Sequence, residues 1–343
     1  MNIAPSVTLY KPENLKYEFL SNYTEKTAYT YSFVFEKSYL MEETLGKDLY
    51  DFTASEIIQV LKSAGYSTIN SVQRDFWVID KYISYAAKCG KINSAIKVTS
   101  GIDNDILDSC VDKTNKVLWS ESEINGIVDK LINYQDKAMI MALFEGISGN
   151  DTGFTELLYL KKSDVHDAHW AGNKDKKIRL YNGKLGKERR IEVSEKTASL
   201  LRSAALEDTY ILKNGESNTL YGDEKPLTAS KFIFRIVHTG RSEKLHPETS
   251  APSLMVTRRF TAFNNWFNIK NFTAKNVRNS GMLKMAKDLY KRDGELGRDQ
   301  YIEIAEQFGI QKTNVGGNMT YVFSPLKRFL TIENIEKFYP EEF

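Results

Sequence analysis

Two short tracts of this chain concentrate lysine and arginine, the side chains that bind phosphate groups. Residues 174–190 carry eight basic and two acidic side chains, and residues 256–292 carry nine basic and one acidic. Residues 1–100 carry 11 of each sign. Basic clusters on an otherwise balanced chain predict a local anionic partner, and nucleic acid is the usual one. Two solvated faces without a partner are the alternative.

Metal and redox chemistry have no comparable pattern. The chain has four histidines and two cysteines, and none of them shows metal-ligand spacing. They are His166, His169, His238, His246, Cys89 and Cys110. We therefore expect no metal, no cofactor, no small-molecule substrate and two reduced thiols, with a chance disulfide as the alternative.

The composition is that of an ordinary globular protein, with 41% hydrophobic and 27% charged residues. No apolar run approaches the roughly 18 residues that a membrane-spanning helix needs. The N-terminus lacks the apolar core of a signal peptide, so we expect a cytoplasmic protein. A length of 343 residues favours two domains.

The first hundred residues read as helices. Residues 24–45 and 69–89 place apolar side chains at helical spacing, and Thr53 with Glu56 fits a capping box that opens a short helix. The polar stretch around 92–117 has no strong period and reads as an interdomain linker.

The second half opens with another capping box, Ser120 and Glu123, followed by a strongly apolar helix near 137–148. Two alternating segments flank a glycine-containing centre at 184–187, which predicts a β-hairpin. Further helices follow, starting with 194–205.

The order of these features resembles the tyrosine recombinase, or phage integrase, family over nearly the whole chain. GKLGKERRIEV resembles its β-hairpin, FTAKNVRNSGMLKMAK its His-x-x-Arg segment, and FGIQKTNVGGNMTYVF the segment that carries its nucleophilic tyrosine. The resemblance implies a mainly α (α+β) fold with a small antiparallel sheet. It divides the chain into a helical core-binding domain at 1–100, a linker at 101–117 and a catalytic-type domain at 118–343.

In that family a tyrosine hydroxyl attacks a DNA phosphate and forms a covalent link. Two arginines stabilise the charge that develops on the phosphate oxygens, a hairpin lysine protonates the leaving oxygen, and histidine or tryptophan completes the set. The corresponding positions here are Gly153, Lys184, Lys275, Arg278, Ile310 and Tyr321.

Three of these positions have lost the family's residue. Gly153 replaces the first arginine, and no arginine occurs between residues 75 and 178. Lys275 replaces the histidine and Ile310 the later ring residue. Tyr321 lies about two residues beyond the usual spacing. Since one missing charge donor typically costs about 10²–10³ in rate, we expect little strand cleavage and no catalytic residues, with residual recombinase activity as the alternative.

DNA binding depends on many dispersed phosphate contacts and can outlive the chemistry. The candidate contacts are Arg74, Lys184, Lys187, Arg189, Arg190, Arg258, Arg259, Lys275 and Arg278. Solvated surface cations are the alternative for each of them. A packing role is favoured for Tyr321, and a core role over base stacking for the aromatic residues between 260 and 272.

The leading hypothesis is a sequence-specific regulator that binds double-stranded operator DNA, with phage or prophage origin implied by the resemblance. Within the family the chain is similar to the master repressors of SPβ-like Bacillus prophages. An active but divergent recombinase that uses Tyr321 and an accessory protein for recombination are the alternatives. The sequence leaves open whether binding is monomeric, and whether the tail after Tyr321 docks on a neighbouring subunit or on its own.

Overall fold

The computed structural model divides the chain into two compact units, Met1–Lys116 and Val117–Phe343, each with its own hydrophobic core. It describes residues 9–10, 15–93, 98–112, 114–148, 153–165, 177–183, 185–216, 223–239 and 246–342. Lys184, His166 and His169 lie outside these ranges.

The first unit is helical. Its described helices are α1 (Leu15–Ser21), α2 (Glu25–Leu45), α3 (Ala54–Ser63), α4 (Ile69–Lys88) and α5 (Asn104–Ser109). The predicted capping box opens α3: the Thr53 hydroxyl accepts from the Glu56 amide at 3.3 Å, and the Glu56 carboxylate accepts from the Thr53 amide at 2.7 Å. Helix α4 buries the predicted apolar face, including Ile79, Tyr82 and Ile83.

Most of the segment expected to be a linker, 101–117, is part of the first unit. Ile102, Leu107 and Cys110 are buried in its core, and the unit boundary falls after Lys116. The carboxylate of Asp103 accepts from the third amide of α5 at 2.9 Å and caps this helix. Because so few of its side chains are apolar, the sequence shows no helical period here.

A buried ionic network ties α1, α2 and α4 of the first unit to the chain at Asp48 and Leu49. The Lys16 ammonium on α1 lies between the carboxylates of Glu42 on α2 and Asp48, and it is 3.2 Å from the latter. Glu42 accepts from the Leu49 amide at 2.7 Å, and the Tyr82 hydroxyl on α4 donates to Asp48 at 2.9 Å. Pairing is required here because an isolated buried charge is unstable.

The second unit is built around α7 (Tyr134–Phe144), of which nine of eleven residues are buried, as its strongly apolar run from Ala138 to Phe144 predicts. The other described α-helices of this unit are α6 (Glu121–Lys130), α8 (Thr155–Leu158), α9 (Glu195–Leu206), α10 (Leu254–Trp266), α11 (Ala274–Asp293), α12 (Arg298–Gln307), α13 (Ser324–Lys327) and α14 (Ile332–Phe338). The predicted capping box of Ser120 and Glu123 opens α6.

The described strands form short antiparallel pairs. They are β1 (Lys177–Asn182) with β2 (Lys187–Glu192), β3 (Thr209–Ile211) with β4 (Glu224–Pro226), and β5 (Thr313–Val315) with β6 (Asn318–Thr320). The β1–β2 pair is the predicted hairpin, with Ile178 opposite Ile191 and both buried in the core. Helices with small antiparallel sheets confirm the predicted fold class.

The C-terminal segment packs on its own unit. Ile335 of α14 is fully buried, and the Tyr339 hydroxyl accepts from the Glu121 amide at 3.2 Å. The Lys287 ammonium donates to both carboxylate oxygens of Glu342, at 2.9 and 3.0 Å. In this structure the tail thus folds back on its own chain. In the part of the chain that is described, no helix has the length and apolar character to cross a bilayer.

Candidate nucleic-acid interface

The position of the family's first arginine lies just before α8. Gly153 is in a turn, Phe154 follows with a left-handed φ of 53°, and Glu156 is 2% exposed. A glycine has no side chain that could hold a phosphate oxygen. Three residues later, Glu156 supplies a buried carboxylate.

That carboxylate is held by Arg189 of β2, whose five N–H donors are all used inside the protein. Nε donates to Glu156 Oε1 at 2.7 Å, and Nη2 donates to Glu156 Oε2 and to the Gly146 carbonyl, both at 2.6 Å. Nη1 donates to the carbonyls of Gln307 at 2.8 Å and Glu306 at 3.1 Å. We call this arrangement the Arg189 clasp. The predicted phosphate contact by Arg189 is wrong, because no donor remains for DNA.

Arg259 is a second corrected prediction. It is 8% exposed, and its Nη1 donates to the buried carboxylate of Asp136 at 2.7 Å. Nη2 donates to the Arg235 carbonyl at 3.1 Å, and the guanidinium lies 4.7 Å from the centre of the Tyr210 ring. This arginine stabilises the core and does not reach a surface, whereas Arg258 beside it is exposed.

The β1–β2 hairpin carries its remaining cations on two faces. Lys187 is exposed on the side that also bears Arg189, because side chains alternate along a strand. Arg190 is exposed on the other side, directly opposite Arg179. Arg179 in turn donates to Glu188 at 2.9 Å. The hairpin is therefore not one continuous basic face, and Lys187 and Arg190 are its described candidates.

Helix α11 carries the two cations that the sequence aligned with the His-x-x-Arg pair. Thr273 caps the helix by accepting from the Asn276 amide at 3.2 Å. Lys275 is exposed and Arg278 is half-buried, three residues apart in the first two turns and thus on one side of the helix. The positive end of the helix dipole adds to their attraction for an anion.

The segment that resembles the family's nucleophile segment forms the β5–β6 hairpin, which turns through Gly316 and Gly317 with φ of 59° and 89°. The Tyr321 ring follows β6 and lies 6.0 Å from Phe323. Burial raises the pKa of the Tyr321 hydroxyl, and the Glu306 carboxylate raises it further. Both effects disfavour the phenolate form. Ile310, also half-buried, precedes this hairpin.

The first unit has a mixed aromatic and basic stripe on α4, made of Arg74, Trp77 and Lys81. Arg74 is 56% exposed and pairs with Asp75 at 2.7 Å, while Trp77 is 46% exposed. The Lys81 ammonium lies 3.6 Å from the centre of the Trp77 ring. The sequence prediction included only Arg74. The spacing of three and four residues, opposite the buried Ile79 face, is the signal that would have found the other two.

A cleft of about 380 Å³ in the second unit has the opposite character. Its charged lining consists of Glu121, Glu145, Glu192, Asp288 and Lys284. Carboxylates repel phosphate, so this cleft does not suit DNA. Within the described ranges no group of three or more metal-binding side chains occurs.

The aromatic residues near the second basic tract lie in the core, as predicted. Phe260, Phe263 and Phe272 are buried, and Trp266 packs against them partly exposed. Base stacking by the three phenylalanines is therefore excluded. Cys89 and Cys110 are both free thiols.

Two family models match the chain. The one described as the MrpR C-terminal catalytic domain covers residues 118–340, and the one described as the MrpR N-terminal core-binding domain covers residues 9–88. The SPbeta prophage-derived uncharacterized protein YopR of Bacillus subtilis (strain 168) is 30% identical over 332 residues, covering 96% of each chain.

Solved structures of low sequence identity are also similar. A crystal structure of XerA recombinase matches with a TM-score of 0.39 and 14% identity, covering 95% of this chain and 98% of that one. A lambda integrase dimer bound to a COC′ core site, solved as residues 75–356, matches with a TM-score of 0.39 and 14% identity, covering 88% and 99%. The family assignment depends on the two family models and on YopR: this protein belongs to the MrpR family.

Proposed function

We propose that this chain is a sequence-specific regulator that binds double-stranded DNA, a prophage repressor whose recombinase-type catalytic domain does not cleave DNA. One observation carries the proposal: the place of the first catalytic arginine is taken by Gly153, while the neighbouring carboxylate of Glu156 is already saturated by Arg189. Under this proposal one of the two phosphate-holding arginines is absent, whereas Arg278 at the second position is retained.

Rescue by another arginine is opposed by the same geometry. Arg189 lies near Ile310, because the backbone of the preceding Gly309 packs against its guanidinium. All five of its N–H donors are used inside the protein, so it cannot replace the missing arginine. A missing donor in a transition-state pocket costs about 3–4 kcal/mol. The raised pKa of Tyr321 adds a further barrier to nucleophilic attack.

Binding itself is supported by exposed cations in both units. Arg74 lies in the first unit, and Lys187, Arg190, Arg258 and Lys275 in the second. Phosphate contacts of this kind set register and supply most of the affinity, so the loss of one pocket residue is tolerated. On α4 the exposed stripe offers donors and an apolar ring, the two kinds of group that read base edges in a major groove.

The repressor role is supported by the relative at 30% identity, which is named as SPbeta prophage-derived. The match spans nearly all of both chains and includes both units. A prophage protein that binds DNA but does not cut it has regulation as its simplest role.

The first test is the salt dependence of DNA binding. The logarithm of affinity for a labelled duplex should fall linearly with the logarithm of salt concentration, by about 0.9 per neutralised phosphate. Lys187→Glu should weaken binding and flatten this slope. Lys130→Glu, the same charge change at the exposed end of α6, is the matched control and should leave the slope unchanged. Wild-type protein that ignores duplex DNA at low salt would refute the proposal.

The active-recombinase alternative predicts a different product. A nicked suicide substrate traps any covalent phosphotyrosine adduct. We expect none with the wild-type chain, on DNA that the protein demonstrably binds. An adduct that disappears in Tyr321→Phe would establish catalysis and replace the regulator proposal.

A further inference from the structure

The Arg189 clasp fastens the middle of β2 to three other elements. It joins the strand to Glu156 of α8, to the backbone just after α7 at Gly146, and to the end of α12 at Glu306 and Gln307. A bidentate contact to a carboxylate fixes the plane of a guanidinium, and the three carbonyl contacts fix its depth. This one side chain therefore holds the middle of β2 against three other parts of the unit.

The backbone around the clasp is shaped to admit it. Gly309 has φ +63°, and a Cβ built there would lie 3.0 Å from the Arg189 Cζ and Nε atoms. Gly146 has φ +101°, and a Cβ there would lie 2.5 Å from the Gln307 carbonyl oxygen. A side chain at either place would displace the guanidinium or the carbonyls that hold it.

A second contact fixes the end of the same strand. The side-chain amide of Gln307 donates to the carbonyl of Glu145 at 2.9 Å and to that of Glu192 at 2.8 Å. The end of β2, the end of α7 and the end of α12 thus hold one another through both Gln307 and Arg189. The hairpin is anchored along its inner strand, while the opposite end with Lys187 is exposed.

Lys187 comes two residues before Arg189 on β2 and points to the same side of the hairpin. A lysine side chain loses rotamer entropy when it is held in one contact. The net free energy of a phosphate contact by Lys187 therefore depends on how closely the strand places its ammonium to the phosphate. A strand that moves would present the charge over a wider volume.

We propose that Arg189 is a positioning residue for DNA binding: through the clasp it fixes hairpin β1–β2 so that Lys187 meets a backbone phosphate. Arg189 itself does not touch DNA. This inference rests on the proposed DNA-binding function and adds to it a residue that acts from inside the protein.

The experiment uses variants that keep the fold measurable. Arg189→Lys keeps the charge, but an ammonium cannot fork to a carboxylate and three carbonyls. The double variant Glu156→Gln with Arg189→Gln removes both partners, so no buried charge is left unpaired. Arg202→Gln is the control, because it removes a guanidinium that pairs with Glu195 at 2.6 Å on α9 of the same unit. Circular dichroism melting confirms that each variant is folded at the assay temperature.

The readout is the log–log salt slope on a labelled mixed-sequence duplex of about 30 base pairs. Lys187→Ala, Arg189→Lys and the Gln double variant should each lower the slope by about 0.9, the value of one phosphate contact. Arg189→Lys combined with Lys187→Ala should lower it no further than either change alone, because both remove the same contact. Arg202→Gln should match the wild type.

Unchanged slopes in folded Arg189 variants would overturn the inference, and so would losses that add to those of Lys187→Ala. A wild-type slope that Lys187→Ala leaves intact would also overturn it, while the DNA-binding proposal stands. Wild-type protein with no salt-dependent binding would overturn both.

Discussion

At the scale of single residues, neighbouring cations of one type have opposite roles. Arg258 and Arg259 are adjacent in the second basic tract, yet the first is exposed and the second is buried against Asp136. Arg189 and Arg190 repeat the contrast on β2. Charge counts along the sequence cannot separate the two roles, because they record a residue's type and not its direction.

The Arg258–Arg259 pair gives a matched test. Arg259→Ala leaves the buried Asp136 carboxylate unpaired and should lower the free energy of unfolding by about 3–5 kcal/mol. Arg258→Ala should change stability by less than about 0.5 kcal/mol, because its side chain is exposed. Chemical denaturation measures both.

The same two variants should differ in the other direction in DNA affinity. Arg258→Ala should weaken binding by removing a phosphate contact, whereas folded Arg259→Ala protein should bind as the wild type does. Equal stability losses in the two variants would contradict the assignment of Arg259 to the core.

At the scale of elements, the sequence predicted helices better than short strand pairs, of which it predicted only β1–β2. Capping boxes and apolar periods located α3, α4, α6 and α7, since these signals are local. The β5–β6 hairpin was not predicted, although Gly316-Gly317 between alternating residues is a hairpin signal.

The ionic network of the first unit makes a pH prediction at this scale. Burial raises the pKa of Glu42 above its ordinary 4.5, and the nearby Asp48 charge raises it further, against the lowering effect of Lys16. The Glu42 carboxylate therefore binds a proton more tightly in the folded chain than in the unfolded chain. The resulting stabilisation is complete below the ordinary pKa and is lost as pH rises through the raised one.

We expect the wild-type free energy of unfolding to fall relative to that of Glu42→Gln as pH rises through this window, with a slope of at most about 1.4 kcal/mol per pH unit. Urea unfolding at several pH values measures the difference. Glu43→Gln, the same change at the exposed neighbouring position, is the matched control variant. A pH-independent difference for Glu42→Gln would contradict the raised pKa.

At the scale of the whole molecule, exposed cations occur in both units, and the C-terminal segment is already satisfied within its own chain. If the DNA-binding proposal is correct, we expect each unit to supply its own phosphate contacts. Under the same proposal, we expect the acidic cleft of the second unit to stay free of DNA, because its carboxylates repel phosphate.

Mapping of bound DNA across the source genome tests function at this scale. A repressor should occupy repeated sites near promoters, and loss of the protein should raise transcription from them. Occupancy confined to attachment or replication sites would instead support an accessory role in recombination, the third interpretation of the sequence.

The sequence by itself determined helices α3, α4, α6 and α7, the β1–β2 hairpin and the absence of arginine between residues 75 and 178, because these depend on local periods, caps and residue identity. Only the tertiary structure decided that residues 102–110 join the first core, that Arg259 pairs with Asp136 and that Arg189 directs its donors to Glu156 and three carbonyls. Such pairings join residues 33 to 123 positions apart in the chain. These pairings form only when packing has buried the charged side chains away from water, so no local sequence pattern predicts them.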